Sequence, residues 1–177
     1  MRSAIPTARF PQADEEVAAI NRIFQRADIY TGKDATVARV SDTQTRTAFV
    51  HFATHGMINS QDPKESYLLL AGKPDRLTVR DLVEDAYRLS FAGTRLVTLS
   101  ACETNIGGFD SSVVYSSLSR AFSKAGAPTV VASLWSVNDA AMRDTMTIFY
   151  RELAAGKLKC EALRQAQLSL GRLAMRV

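Results

Sequence analysis

The chain has 177 residues, 46% of them hydrophobic and 23% charged, which fits one soluble globular domain with one substantial core and excludes a disordered chain. The net charge is +4 and the isoelectric point near 9.3. The basic residues are scattered (Arg39, Arg46, Arg76, Arg80, Arg88, Arg95, Arg164, Arg172, Arg176), with no basic stripe to imply direct nucleic-acid binding. Its two cysteines, Cys102 and Cys160, form no CxxC pair, which gives no support to a zinc ribbon or thioredoxin-type motif. The first residues lack the apolar core of a signal peptide, and the longest apolar stretch, APTVVASLW, is far short of a membrane span. The expected setting is cytoplasmic and reducing, with no membrane partner.

Residues 14–24, DEEVAAINRIF, place apolar side chains at 17, 20, 23 and 24 behind leading acids, the spacing of an amphipathic helix. Residues 46–56, RTAFVHFATHG, read as a buried strand running into a His-Gly loop. The polar residues 57–66 read as loop and SYLLLA (66–71) as a short strand. LTVRDLVEDAY (77–87) opens on a threonine cap and reads as a helix. TRLVTLSA (94–101) is a second buried strand, followed by the glycine-bearing loop ETNIGGFDSS (103–112). SVVYSSLSRAFSKAG (112–126) has helical spacing and stops at Gly126, a C-cap signal. PTVVASLW (128–135) is a third buried strand, with Pro128 at its first position. Helices are expected over 138–156, ending at Gly156, and over 158–174.

This alternation of near-continuous apolar strands with helices predicts an α/β fold, a mostly parallel sheet covered on both faces. In such folds function gathers at the carboxyl ends of the strands. Three features lie there: His55-Gly56, Cys102, and the stretch Trp135–Asp139.

A cysteine nucleophile needs a base or imidazolium nearby to hold it as thiolate. The chain has two histidines, His51 and His55. In an extended strand both face one way, but only His55 reaches the strand end, where Gly56 is expected to free the backbone. If strands 46–54 and 94–101 are neighbours, His55 and Cys102 meet at one edge of the sheet. The backbone N–H groups of Gly56 and Cys102 would then be the natural oxyanion donors, and losing one such donor costs about 3 kcal/mol of barrier. On the residues alone a plainer reading stands beside this one, with Cys102 a buried core thiol and His55 a satisfied loop histidine.

The blocks VHFATHGMIN, LVTLSACETNIGG, GAPTVVASLWSVNDAA, IFYRELAAGK and EALRQAQLSL together resemble the CHAT domain, a bacterial branch of the caspase–separase cysteine peptidases, across residues 10–170. The resemblance implies a caspase-like three-layer sandwich and a His–Cys dyad, with His55 in ATHG and Cys102 in SACET. It further implies a protein substrate, no cofactor or metal, and activity licensed by a regulatory sensor or helical-repeat partner in a signalling or defence system. The family often carries a Gly-Glu-Gly-like stretch after the cysteine; here it is GGFDSSVVYSS, with Asp110 the nearest acid. The family's N-terminal strand reads as short or absent here, and its strand beyond the last helix has no counterpart. Residues 1–177 are expected to form a single domain, from a longer protein or an incomplete copy of one.

Relatives that select Arg or Lys place an acid near Asp139 to receive a basic P1 side chain. Against this, Asn138 or Asp139 serves equally as the cap of the helix from 140. Asp110 and Glu103 are further acids for that role, and Trp135 reads as a cleft wall or a core residue. His51 and His55 make an HxxxH spacing, but on a strand and without a zinc peptidase's glutamate, so His51 is expected in the core near the site. Cys160 reads as an inert packing residue within a helix and the final arginines as a solvated face. Two functions follow: a cysteine endopeptidase cleaving after a basic residue, or a catalytically silent interaction module of the same fold.

Overall fold

The computed structural model describes residues 3–7, 11–25, 27–43, 47–59, 61–85, 89–100, 112–133 and 139–174. Its centre is a five-stranded parallel sheet in the order β2-β1-β3-β7-β8. The strands are β1 (Ser3–Thr7), β2 (Asp28–Thr31), β3 (Phe49–Ala53), β7 (Leu96–Ser100) and β8 (Val130–Ala132). A smaller antiparallel sheet, β4 (Gly56–Met57), β5 (Tyr67–Leu69) and β6 (Arg76–Thr78), follows β3 directly. The helices are α1 (Pro11–Phe24), α2 (Val37–Thr43), α3 (Val79–Glu84), α4 (Ser112–Lys124), α5 (Asp139–Ala154) and α6 (Lys159–Ala174).

Every residue of β3 and β7 is buried, because helices cover both faces and the pleat sends alternate side chains to opposite layers. Val50, Phe52, Val97 and Leu99 enter one core with Val40 of α2, Leu82 of α3 and Leu118, Ala121 and Phe122 of α4. Leu68 and Leu77, paired across β5 and β6, extend that core beneath the small sheet. Phe49, Ala53 and Leu96 enter the other core with Val17 and Ile20 of α1, Met142, Met146, Phe149 and Tyr150 of α5, and Ala162 and Ala166 of α6. The result is the three-layer α/β sandwich the sequence pattern predicts.

Local signals agree with these boundaries. Thr78 Oγ1 accepts from the Asp81 backbone N–H at 3.0 Å while Asp81 Oδ2 accepts from the Thr78 N–H at 2.9 Å, a reciprocal cap that starts α3. Gly126 ends α4 at φ +101°, and a Cβ there would fall 2.9 Å from the Ala92 backbone nitrogen, so both conformation and space demand glycine.

Two expectations are corrected and one is narrowed. The N-terminal strand, expected to be short or absent, is short: β1 has five residues and lies inside the sheet between β2 and β3. Its sequence, SAIPT, is short and holds a proline, so it carries little of a buried strand's apolar signature. Cys160 is exposed, not packed. α6 begins at Lys159, and the helix turns Ala162 and Ala166 inward and Cys160 out. Gly56 adopts ordinary strand geometry opposite Leu68 and is not one of the glycines with positive φ, so the chain turns there without special backbone freedom.

Candidate functional site at the carboxyl edge of the sheet

Because the main sheet is parallel throughout, all its strands end at one edge. At that edge β3 and β7 are hydrogen-bonded neighbours, paired from Phe49↔Leu96 to Ala53↔Ser100. The strand ends are therefore level. Two residues beyond Ala53 stands His55, and two residues beyond Ser100 the sequence has Cys102.

His55 is half-buried at the crossing from the main sheet to the small one. Its carbonyl accepts from the Leu69 N–H at 2.9 Å, and the preceding Thr54 Oγ1 donates to the Leu69 carbonyl at 2.5 Å. These two bonds fix the backbone on either side of the His55 nitrogen to β5. Gly56 is buried in β4 against β5. An open cleft of about 380 Å³ follows, lined by Met57, Asn59, Gln61, Tyr67 and Arg76 among others. The Arg76 guanidinium stands 4.6 Å from the centroid of the Tyr67 ring.

Cys102, Asp110 and Trp135 lie outside the described residues. Asp139 is the first residue of α5, within the stretch from 138 expected to be helical, and its side chain also lies outside the described part. Of the residues the sequence singles out, His55 and Gly56 are brought to the carboxyl edge. His51 is not part of that edge: it is 1% exposed and faces the layer of α1 and α5. The strand ends at Ala53, so the strand's twofold alternation does not carry on to His55.

His51 belongs to a buried polar chain that the sequence reading does not anticipate. Glu16 of α1 is 4% exposed; its Oε1 lies 2.8 Å from His51 Nε2, and its Oε2 accepts from Ser100 Oγ at 3.0 Å. Tyr150 Oη donates to Thr98 Oγ1 at 2.9 Å and lies 3.1 Å from His51 Nδ1. With the phenol hydrogen directed to Thr98, its oxygen accepts from Nδ1–H. His51 Nε2 and Glu16 Oε1 face each other across 2.8 Å in the core. Neither atom makes a hydrogen bond with any other described residue. Burial, reinforced by the Glu16 charge and opposed by the bond to Thr98, pushes the Tyr150 phenol well above the ordinary tyrosine range.

One signal for this chain exists in the sequence. Glu16 precedes Ile20 by four residues and Ile23 by seven, so it sits on the apolar stripe of its helix rather than among the exposed leading acids.

The sequence model of the CHAT domain matches residues 1–175. The chain belongs to the CHAT domain family. CHAT domains are associated with caspase-like cysteine peptidases. No curated protein matches the chain. Among solved structures, a short-chain flavodoxin associated with a non-canonical PDU bacterial microcompartment is similar over 88% of this chain and 98% of its own. The identity is 13% and the TM-score 0.48. Among the described residues of this CHAT domain, no helix is long and apolar enough to cross a membrane, and no group of three or more His, Cys, Asp or Glu is arranged to hold a metal ion.

Proposed function

We propose that this CHAT domain is a cysteine endopeptidase in which His55 and Cys102 form the catalytic dyad. The observation that carries the reading is the level pairing of β3 and β7: the two candidate residues follow adjacent, co-terminal strands by the same two-residue step. The family, with its peptidase association, supports the same reading.

In this mechanism His55 takes the Cys102 thiol proton and the thiolate attacks the scissile carbonyl carbon, forming a C–S bond as the carbonyl electrons move to oxygen. The backbone N–H groups of Gly56 and Cys102 stabilise that oxyanion. When the carbonyl re-forms, the C–N bond breaks and the His55 imidazolium protonates the leaving amine. Water, deprotonated by His55, then cleaves the thioester and restores the thiol. Asp139 receives a basic P1 side chain, with Asp110 and Trp135 as further contacts of the substrate cleft. The substrate is a partner protein in a regulated bacterial signalling or defence system in the cytoplasm, and a sensor or helical-repeat partner licenses the activity.

A panel of peptides differing at P1, with the candidate partner protein beside it, tests the reading. Cleavage after Arg or Lys that disappears in Cys102→Ala is expected; cleavage that persists in Cys102→Ala overturns it. In Asp139→Ala, selectivity for basic P1 residues falls while Cys102 still alkylates, and unchanged selectivity removes Asp139 from the role.

A further inference from the structure

The buried polar chain beneath the carboxyl edge is more than a packing solution. A carboxyl group and an imidazole in a helix–sheet core carry a large desolvation cost that apolar residues of the same volume would avoid. Within this layer the polar groups are also unevenly placed. Phe49 and Leu96, at the start of the paired strands, are apolar, whereas His51, Thr98 and Ser100 occupy the later positions. The polarity therefore runs from the middle of both strands, at His51 and Thr98, to the end of β7 at Ser100, while Ala53 keeps the end of β3 apolar. Glu16 joins the two strands there: one carboxylate oxygen meets Ser100, the last residue of β7, and the other meets His51 of β3. Tyr150 of α5 closes the chain from the opposite side through His51 and Thr98. The groups facing Glu16 and His51 thus come from β3, β7, α1 and α5, and Glu16 and His51 are the acid and base among them.

We infer that Glu16 is a positioning residue for the dyad, holding the end of β7 through Ser100 and tying it to the middle of β3 through His51, so that Cys102 and His55 issue in a fixed relation. This rests on the dyad reading above. Glu16 touches no reacting atom; its effect passes through Ser100 and the strand end. A loosened support of this kind displaces a reactive group by a fraction of an ångström to an ångström, enough to slow a geometry-dependent step strongly.

The test reads the thiols directly. The rate of Cys102 alkylation by iodoacetamide, resolved by mass spectrometry, is measured against pH in the wild type, Glu16→Ala, Glu16→Gln, Ser100→Ala and the Glu16→Ala/Ser100→Ala double variant, each below its melting temperature. Exposed Cys160 is the internal standard. A wild-type Cys102 that titrates like Cys160 overturns the dyad reading and this inference with it. Given a wild-type Cys102 that reacts faster, Glu16→Ala slows it by about 10- to 100-fold at neutral pH, Ser100→Ala slows it less, and the double variant is no slower than Glu16→Ala, because the two act as one unit. Cys160 keeps its rate in all of them. If Glu16→Ala fails to fold, Glu16→Gln and Ser100→Ala decide. Cys102 rates and pH midpoints unchanged in the folded variants, or additive slowing in the double variant, overturn the positioning role.

Discussion

The two faces of β3 and β7 differ in chemistry, although they belong to the same ten residues. On one face Val50, Phe52, Val97 and Leu99 meet α2, α3 and α4 in a wholly apolar layer. On the other, Phe49 and Ala53 of β3 alternate with His51, and Leu96 with Thr98 and Ser100, against α1 and α5. Both faces are equally buried, so burial alone does not explain the difference. The apolar face supplies packing, and its Phe52–Phe122 and Phe91–Phe122 ring pairs, 5.4 and 5.1 Å between centroids, add directional contact. The polar face supplies direction, since its hydrogen bonds couple particular atoms of α1, β3, β7 and α5.

Phe52→Ala should have the largest effect. Phe52 is fully buried, and its truncation is expected to cost about 3–5 kcal/mol in chemical denaturation; a loss below ~1 kcal/mol would mean the apolar face is not the main source of stability. On the other face, Glu16→Ala is expected to cost about 3 kcal/mol, because it strands His51 Nε2 and the Ser100 hydroxyl in the core. The paired replacement Glu16→Leu/His51→Leu sharpens the contrast. It should return to within about 1–2 kcal/mol of the wild type while Cys102 alkylation stays slow, separating stability from positioning. A double variant as unstable as Glu16→Ala would show instead that the polar face is needed for the fold itself.

Tyr150→Phe keeps the ring and removes only the hydroxyl that joins His51 to Thr98, for an expected loss of about 1 kcal/mol at neutral pH. Its pH dependence has a defined sign. The folded-state value of the phenol is raised above the ordinary tyrosine value of 10.0. The stability it contributes is therefore complete below that value and is lost as the pH climbs above it. The wild type should lose stability above pH 10 more steeply than Tyr150→Phe, and parallel curves would show that the phenol ionises freely in the fold. Thr78→Ala, at the reciprocal cap of α3 and on neither face, should cost about 1 kcal/mol and leave Cys102 unaffected.

How much of this was legible follows from what each signal requires. β3, β7, α3 and the glycine stops at Gly126 and Gly156 announce themselves through local chemistry: apolar β-branched runs, a threonine followed three residues later by an acid, and glycine at left-handed positions. β1 and β2 do not. They are five and four residues long, and only their pairing inside the sheet makes them strands. The position of His55 just beyond β3 was legible from a strand followed by His-Gly, although the turn uses bonds to Leu69 rather than glycine's freedom. Cys160 misled because a cysteine in helical context usually packs, while its side of α6 is decided by where the helix starts. The Glu16–His51–Tyr150 chain was hidden because its members lie far apart in sequence and meet only once α1 and α5 dock on the same face.

The central claim is that His55 and Cys102 act together at the carboxyl edge. The most direct measurement is the pH dependence of Cys102 alkylation relative to Cys160 in the wild type and in His55→Ala. The account predicts a Cys102 that reacts far faster than Cys160 at neutral pH and loses that advantage in His55→Ala. Equal rates for the two thiols in the wild type, or a fast Cys102 indifferent to loss of His55, would contradict it.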